Sequence, residues 1–226
     1  IKKLNRIKVV LAEKDRTALE FIYRRRSVRK FTEQPISNEV IEQLIDAAIH
    51  APSGKNQQNW HFVVVRNKQM IQDMVKLVET KHEKLLPFIA DAEKQKAFKG
   101  SVGYHTVFKN APVVVLVFAG PYPGPSDDMV AGPGLTQQEI DAMKQTKPGV
   151  QNVAAAMQNL LLAAATLGYG TCWMTGPTYA GPEIAELVGF NKAGYSLAAL
   201  TPLGVPAADG ASPPRKPLAE VLTIVD

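Results

Sequence analysis

Apolar residues recur at helical spacing in several parts of the chain, and each of these parts predicts a helix. One apolar stripe runs from Val40 to Ile49 behind a candidate N-cap at Ser37, and another runs from Met70 to Val78. From Val150 to Leu167, apolar side chains occur on nearly every side, which is typical of a buried helix. Thr17 to Arg26 predicts a further helix that ends in basic residues.

Four shorter segments have the residues of strands. His61 to Arg66 is rich in β-branched residues, and Val113 to Phe118 is apolar throughout. Tyr195 to Leu203 is a third strand-like run, and Thr171 to Thr175 is a short fourth one. A strand without polar alternation is covered on both faces, so Val113 to Phe118 is expected at the centre of a sheet. Strands interspersed with helices predict an α+β fold or an α/β sandwich with a helical bias.

The stretch 120–149 breaks this pattern. It is rich in proline and glycine and holds one short polar helix candidate, Thr136 to Lys144. A long irregular segment in a compact domain often forms a lid, although an insertion without a role fits the same residues equally well. Because no repeat or interdomain linker is visible, residues 1–226 are interpreted as one domain, with 120–149 insertion-like and 205–226 a C-terminal extension.

The composition is that of an ordinary globular protein, with 46% apolar and 21% charged residues in a chain of 226. A net charge of +5 suits nucleic acid or a few sites for phosphate-bearing small molecules. Since 21 acidic residues are spread among 26 basic ones, no nucleic-acid partner is expected. Neither a leader peptide nor a membrane span is predicted, and the single cysteine, Cys172, fits a reducing compartment. We therefore expect a cytoplasmic protein without a membrane partner.

The run Arg25-Arg26-Ser27-Val28-Arg29 is the first segment with candidate chemistry. A phosphate group is bound by a fork of charged donors together with a hydroxyl or backbone donor. An arginine and a serine two positions apart can supply both in an extended segment that leaves a helix. The alternative is a solvated basic helix end.

Three further segments carry candidate chemistry. Ala51 to Trp60 is a loop of small and amide-bearing residues, which suits the polar edge of a flat heteroaromatic ring or an ordinary turn. Gly168 to Gly176 ends in a glycine that permits close approach of a ligand, or it is a plain helix–strand connection. Arg215 and Lys216 are adjacent bases between prolines that stiffen the chain. The alternative is an ordinary basic tail.

Together, in this order and spacing, the four segments resemble the nitroreductase superfamily. The most specific pieces are the Arg-Arg-Ser-Val-Arg run and the pattern Ala-Pro-Ser-Gly-x-Asn-x-Gln at 51–58. The resemblance extends from about Phe21 to the C-terminus, except for 80–104 and 120–149. The chain departs from the family at Gln58-Asn59-Trp60, where the usual residues are Gln-Pro-Trp. That change affects local rigidity but removes no expected flavin contact.

The resemblance implies a three-layer α/β/α sandwich with a mostly antiparallel central sheet. It also implies an intertwined homodimer with two FMN molecules at its interface. Arg25 and Ser27 would bind the FMN phosphate, with Arg26 as a weaker neighbour. Arg215 and Lys216 would close on the phosphate from the tail.

The same resemblance assigns residues to the flavin ring. Arg29 would face the N1/O2 edge, where a cation stabilises the charge of reduced flavin. Asn56 would bind the pyrimidine side, and Pro52 and Ser53 would pack on the flavin from the partner subunit. The N5 region would be lined by Met174, Thr175 and Gly176.

The implied reaction is ping-pong hydride transfer through flavin N5 from NADH or NADPH to a nitroaromatic, quinone or enone. The flavin carries the chemistry, so no catalytic side chain is assigned. The four histidines lack metal-ligand spacing, and no metal site is predicted. One alternative is a reductive dehalogenase like iodotyrosine deiodinase, although Glu93, Tyr104 and Lys109 do not have the spacing of its substrate clamp. A second is a flavin-destructase that makes the lower ligand of cobalamin, and an alternative of another class is a non-enzymatic basic binding module.

Overall fold

The structure is a computed structural model that describes residues 18–123, 134–208, 210 and 212–225. The strands of these residues are β1 (Trp60–Val65), β2 (Val113–Ala119), β3 (Gly170–Thr171) and β4 (Ser196–Gly204). The helices are α1 (Glu20–Arg24), α2 (Asn38–Ile49), α3 (Lys68–Leu85), α4 (Ala92–His105), α5 (Gln137–Gln145), α6 (Pro148–Thr166) and α7 (Gly181–Leu187). Short 3-10 turns lie at Gly54–Asn56, Leu86–Phe88, Val107–Asn110, Gly176–Ala180 and Leu218–Glu220.

The strands form one sheet in the order β1-β2-β4-β3, and every neighbouring pair is antiparallel. The start of β1 lies beside the end of β2, since Trp60 pairs with Ala119. At the other end, Gly170 and Thr171 pair with the last residues of β4. The two edges of the sheet are therefore β1 and β3.

Helices cover both faces of the sheet, which confirms the three-layer α/β/α prediction. Alternate residues of β2 point to opposite faces. Val113, Val115 and Val117 pack with α2 and α6, whereas Val114 and Leu116 pack with α3 and α7. All residues of β2 are buried, which confirms the prediction that the apolar run is the centre of the sheet.

Side chains at the helix starts fix where the helices begin. Ser37 accepts a hydrogen bond from the Val40 amide at 3.4 Å, which confirms it as the N-cap of α2. Asn67 and Asp91 cap α3 and α4 in the same way. Pro148 occupies the first turn of α6, where a missing amide hydrogen costs nothing.

Two sequence predictions differ from the structure. The helix expected over Thr17 to Arg26 is shorter, because Arg25 already has extended backbone angles; residue 17 lies outside the described residues. The strand expected over Thr171 to Thr175 ends at Thr171, and only Met174 pairs again with β4. Trp173, between these points, is 36% exposed, so this edge of the sheet is interrupted.

The insertion-like stretch lies partly outside the described residues, which omit 124–133. Its helix, predicted over Thr136 to Lys144, is found as α5 one residue later at each end. The lid interpretation and the single-domain interpretation stay predictions. Within the described residues, no helix is both long enough and apolar enough to cross a membrane.

Candidate flavin site

The basic segment after α1 runs alongside β3 at one edge of the sheet. The Val28 amide donates to the Thr171 carbonyl at 2.8 Å, and Ser27 forms a parallel bridge with Thr171. Val28 is buried against Gly170, where a Cβ would lie 2.7 Å from the valine side chain. Because side chains alternate along an extended segment, Ser27 and Arg29 face outward when Val28 faces inward.

The arginines that precede Ser27 have different surroundings. Arg24 pairs with Glu20 at 3.1 Å on the surface of α1. Arg26 donates to the carbonyls of Ala208 and Gly210, at 3.2 and 2.9 Å. Arg25 is partly buried, yet within the described residues its guanidinium has neither a hydrogen bond nor an ion pair. Arg25 is thus the arginine whose donors are available to a ligand, while Arg26 holds the start of the C-terminal extension.

The C-terminal extension begins next to this segment. The Ala207 amide donates to the Lys30 carbonyl at 3.1 Å, and the Thr32 amide donates to the Val205 carbonyl at 2.9 Å. Arg215 follows Gly210 by five residues, a span of at most roughly 17 Å. Arg215 and Lys216 are both exposed. Arg215 therefore lies no further than that from Gly210, whose carbonyl accepts a hydrogen bond from Arg26.

The predicted N5 turn follows on the same edge of the sheet. Met174 exchanges two backbone hydrogen bonds with Leu200, both at 3.0 Å, and its side chain is buried in the core. Only the backbone of Met174 can therefore line a ligand site. Thr175 is exposed, and Gly176 begins the 3-10 turn that leads to α7. The Thr175–Gly176 turn thus lies at the surface of the edge that also holds Ser27.

The loop from Pro52 to Asn59 has strained backbone. Lys55, Asn56 and Gln58 all have left-handed φ angles, of 54°, 53° and 46°. That conformation costs lysine and glutamine about 1–2 kcal/mol each, whereas asparagine adopts it more readily. Strain of this kind persists only where the surroundings fix it, and it clusters at functional sites.

Local hydrogen bonds help to hold the loop in this strained conformation. The Ser53 hydroxyl accepts from the Gln58 amide, and the Gln58 side chain donates to Asn56 Oδ1, both at 3.1 Å. The side-chain oxygen of Asn56 is therefore engaged inside the loop. Its amide nitrogen is the end that can face a ligand.

Two buried asparagines, which sequence reasoning did not select, anchor the loop to the core. Asn152, in the second turn of α6, accepts from the Gly54 amide at 3.0 Å and donates to Asn59 Oδ1 at 2.9 Å. Asn59 in turn donates to the carbonyls of Gly120 and Gly149, at 3.0 and 3.1 Å. The sequence signal that could have identified Asn59 was the departure from Gln-Pro-Trp, because Asn59 stands where the family has proline.

The loop and the basic segment lie far apart in one chain. The loop enters β1 at its first residue, whereas the basic segment runs beside β3 near the last residues of β4. These are opposite edges of the sheet, separated by three strand spacings, or roughly 14 Å. They are also opposite ends of the strands. A single chain therefore does not bring the two predicted halves of the flavin site together.

A model described as the nitroreductase family matches residues 22–205 of the chain. The chain belongs to the nitroreductase family. The matched span includes the basic segment, the strained loop and the Thr175–Gly176 turn, but not the tail cations. The prediction of family membership is thus confirmed.

Individual members of the family show how close the similarity is. A protein of Archaeoglobus fulgidus, provisionally named NADH dehydrogenase/NAD(P)H nitroreductase, is 31% identical over 69% of this chain. The chain spans 66% of the length of that relative, just under two thirds.

Two solved structures are also similar to this chain. A BluB-like flavoprotein of Clostridium difficile 630 has a TM-score of 0.84 at 36% identity, covering 92% of this chain and 99% of that one. A nitroreductase with bound FMN from Desulfitobacterium hafniense DCB-2 has a TM-score of 0.66 at 25% identity, covering 92% and 97%. The nitroreductase fold therefore extends over nearly all of the chain.

Proposed function

We propose that the protein is an FMN-dependent oxidoreductase that takes electrons from NADH or NADPH. Bound FMN would accept hydride from the nicotinamide and pass it to an electron-poor acceptor such as a nitroaromatic, quinone or enone. The relatives support this, since one is named an NAD(P)H nitroreductase and another has FMN bound. The single cysteine, Cys172, supports a reducing compartment such as the cytoplasm.

The guanidinium of Arg25, which has no partner among the described residues, is the observation that carries this proposal. A partly buried cation without a partner is costly, and an anionic ligand would remove the cost. Ser27 adds a hydroxyl on the same extended segment. These groups fit the FMN phosphate, and Arg215 and Lys216 would close on it. Arg26, which already holds the tail, would act on the phosphate only indirectly.

The ring of FMN would lie along the edge formed by β3. Arg29 is exposed and makes only a long contact of 3.4 Å to the Ser27 carbonyl, so its charge is available for the N1/O2 edge. The exposed Thr175–Gly176 turn can offer a backbone amide to N5. Charge that develops on reduced flavin would then be stabilised by a fixed cation and a fixed donor.

We further propose a homodimer in which the strained loop of one subunit completes the site of the other. Pro52, Ser53 and Asn56 would then meet the flavin from across the interface. The separation of the loop from the basic segment within one chain supports this arrangement.

Exposed apolar side chains also support the dimer. Every residue from 212 to 225 is exposed, including five large apolar ones. Further exposed apolar residues lie on α1 and near the two ends of α6, and a groove of about 360 Å³ lies between α1, α2 and α6. Apolar surface of this extent usually marks an interface. The tail would cross onto the partner subunit and form an intertwined dimer.

FMN affinity tests the proposal directly. We expect the double variant Arg25→Ala, Ser27→Ala to bind FMN roughly 10–100-fold more weakly, the loss of one or two charge-assisted hydrogen bonds. Riboflavin, which lacks the phosphate, should bind the variant and the wild type equally. Quenching of flavin fluorescence on titration with apoprotein measures both affinities.

Arg24→Ala is the matched control, because Arg24 is adjacent but paired with Glu20. If both variants bind FMN as the wild type does, the phosphate assignment is wrong.

Light scattering with and without FMN then tests the dimer. A screen of nitroaromatics, quinones, enones and 3-iodotyrosine with each nicotinamide identifies the acceptor and includes the dehalogenase alternative.

A further inference from the structure

An aromatic cluster lies directly behind the Thr175–Gly176 turn. The ring of His82, on α3, stacks on Phe98 of α4 at 4.0 Å with an interplanar angle of 7°. His105, the last residue of α4, contacts His82 edge-on at 5.7 Å and Phe98 at 6.2 Å. Tyr179, in the turn before α7, closes the cluster at 6.0 Å from His105. Four rings from three elements thus meet at one point.

His105 is the member of this cluster that contacts the turn. A Cβ built on Gly176 would lie 2.6 Å from Cγ and 2.8 Å from Nε2 of His105. The imidazole therefore packs flat against the glycine, and no larger residue fits at that position. Gly176 also belongs to the turn whose backbone is assigned to flavin N5.

The hydrogen bonding of His105 favours the neutral ring. Its Nδ1 is buried and has no hydrogen-bond partner among the described residues. A bare nitrogen tolerates this better than an N–H, so the proton of the neutral ring belongs on Nε2, on the side of Gly176. A second proton would have to go on Nδ1, for which the described part of the chain offers no acceptor. Protonation therefore requires the ring to move.

The surroundings of His105 also favour its neutral form. Burial, and secondarily the neighbouring His82, hold the pKa of His105 below its usual 6.5. The groups that face it are His82 from α3 and Tyr179 from the turn. Lys81 and Glu183 neutralise each other in an ion pair of 2.5 Å between α3 and α7. On α4 itself, the preceding Tyr104 is exposed. The ring is thus neutral at pH 7 and takes up its proton only below that.

We propose that His105 is a positioning residue that holds the Thr175–Gly176 turn, and that its protonation displaces the turn and the backbone amide assigned to flavin N5. The displacement of the turn is a property of the protein alone. Its effect on the flavin rests on the proposed function. His105 does not take part in hydride transfer and acts through Gly176.

The first experiment uses the apoprotein. Amide correlation spectra recorded between pH 8 and pH 5 should show the Gly176 resonance shifting with the same midpoint as the ring protons of His105. In His105→Phe, which keeps a ring but has no titrating group, the Gly176 shift should disappear. His61→Phe is the control, because His61 also contacts an aromatic ring, Phe190 at 4.8 Å, but lies at the start of β1.

The second experiment uses the FMN-loaded protein. On acidification through the His105 midpoint, FMN affinity of the wild type should fall by about fivefold, the low end of coupling between linked sites. The visible flavin spectrum should change over the same pH range. Both changes should be absent in His105→Phe and unaltered in His61→Phe.

The outcomes distinguish the positioning role of His105 from its effect on the flavin. A Gly176 resonance that ignores the His105 titration in the wild type overturns the positioning role, and this test needs no variant to fold. A responsive Gly176 with a pH-independent flavin spectrum overturns the link to N5. Failure of the wild type to bind FMN at any pH overturns the proposed function, while the apoprotein titration still decides the role of His105.

Discussion

The strained loop and the basic segment are held in opposite ways. The basic segment is extended, and backbone pairing with Thr171 fixes it at the edge of the sheet. The loop has three left-handed residues within four positions, and side-chain amides fix it, including one from Asn152. Backbone pairing survives most side-chain changes. A loop held by buried amides depends on a few particular residues.

This difference predicts different responses to mutation. Side chains of the basic segment can change with little effect on folding, because Ser27 and Arg29 are exposed and their loss affects only a ligand. The loop should lose its shape when one buried hydrogen-bond partner is removed, since the strain in its backbone is then no longer balanced.

The largest expected effect is that of Asn152→Ala. The change leaves Asn59 Oδ1 buried without a donor and the Gly54 amide without its acceptor. An unsatisfied buried polar group costs about 1–3 kcal/mol, so we expect a loss of about 2–3 kcal/mol in the free energy of unfolding. Urea denaturation followed by circular dichroism measures this loss. FMN affinity should fall as well, because the loop belongs to the proposed dimeric site.

Asn159→Ala provides the control on the same helix. Asn159 is partly buried and donates one hydrogen bond, to the Ala47 carbonyl at 3.3 Å. Its loss should cost less than about 1 kcal/mol. Equal losses for the two variants would show that Asn152 is an ordinary helix residue rather than an anchor of the loop.

The sequence predicted the fold well because the fold depends on periodicity. The apolar run that became β2 and the stripes that became α2 and α6 are local patterns, and burial on two faces follows from them. The basic segment was also predictable, since a phosphate site needs recognisable residue types. Its assignments to FMN atoms stay predictions.

The anchors of the strained loop were not predictable in the same way. Asn59 and Asn152 are 93 positions apart, and nothing local marks an asparagine in an alanine-rich helix as the partner of a loop. Left-handed angles at Lys55 and Gln58 are equally invisible, because neither residue favours them. The role of Arg26 depends on the position of the C-terminal extension, whose Gly210 carbonyl accepts a hydrogen bond from it, and this is a tertiary contact.

An intermediate effect, of opposite sign, is expected for Lys55→Gly. Glycine adopts a φ of 54° without strain, which removes about 1–2 kcal/mol, but it adds about 0.5–1 kcal/mol of backbone entropy to the unfolded chain. We expect a net gain of about 0.5–1 kcal/mol in unfolding free energy, measured by urea denaturation. FMN affinity should fall slightly because the loop is less rigid before binding.

Lys76→Gly is the matched change within α3, where the residue is exposed and helical. The same substitution there should destabilise the protein by about 1 kcal/mol. A loss at both positions would mean that the backbone at Lys55 is not strained.

The smallest effect on stability is expected for Arg26→Gln, at the start of the extended segment. Its bonds to Ala208 and Gly210 lie near the surface, so unfolding free energy should change by less than about 0.5 kcal/mol. The start of the tail, however, would lose two attachments and open more often. Proteinase K should therefore cut the tail several-fold faster, as followed by mass spectrometry, since cleavage depends on local opening. Arg24→Gln, which breaks only the exposed pair with Glu20, should leave the cleavage rate unchanged. If the two variants are cut at the same rate, Arg26 does not hold the tail.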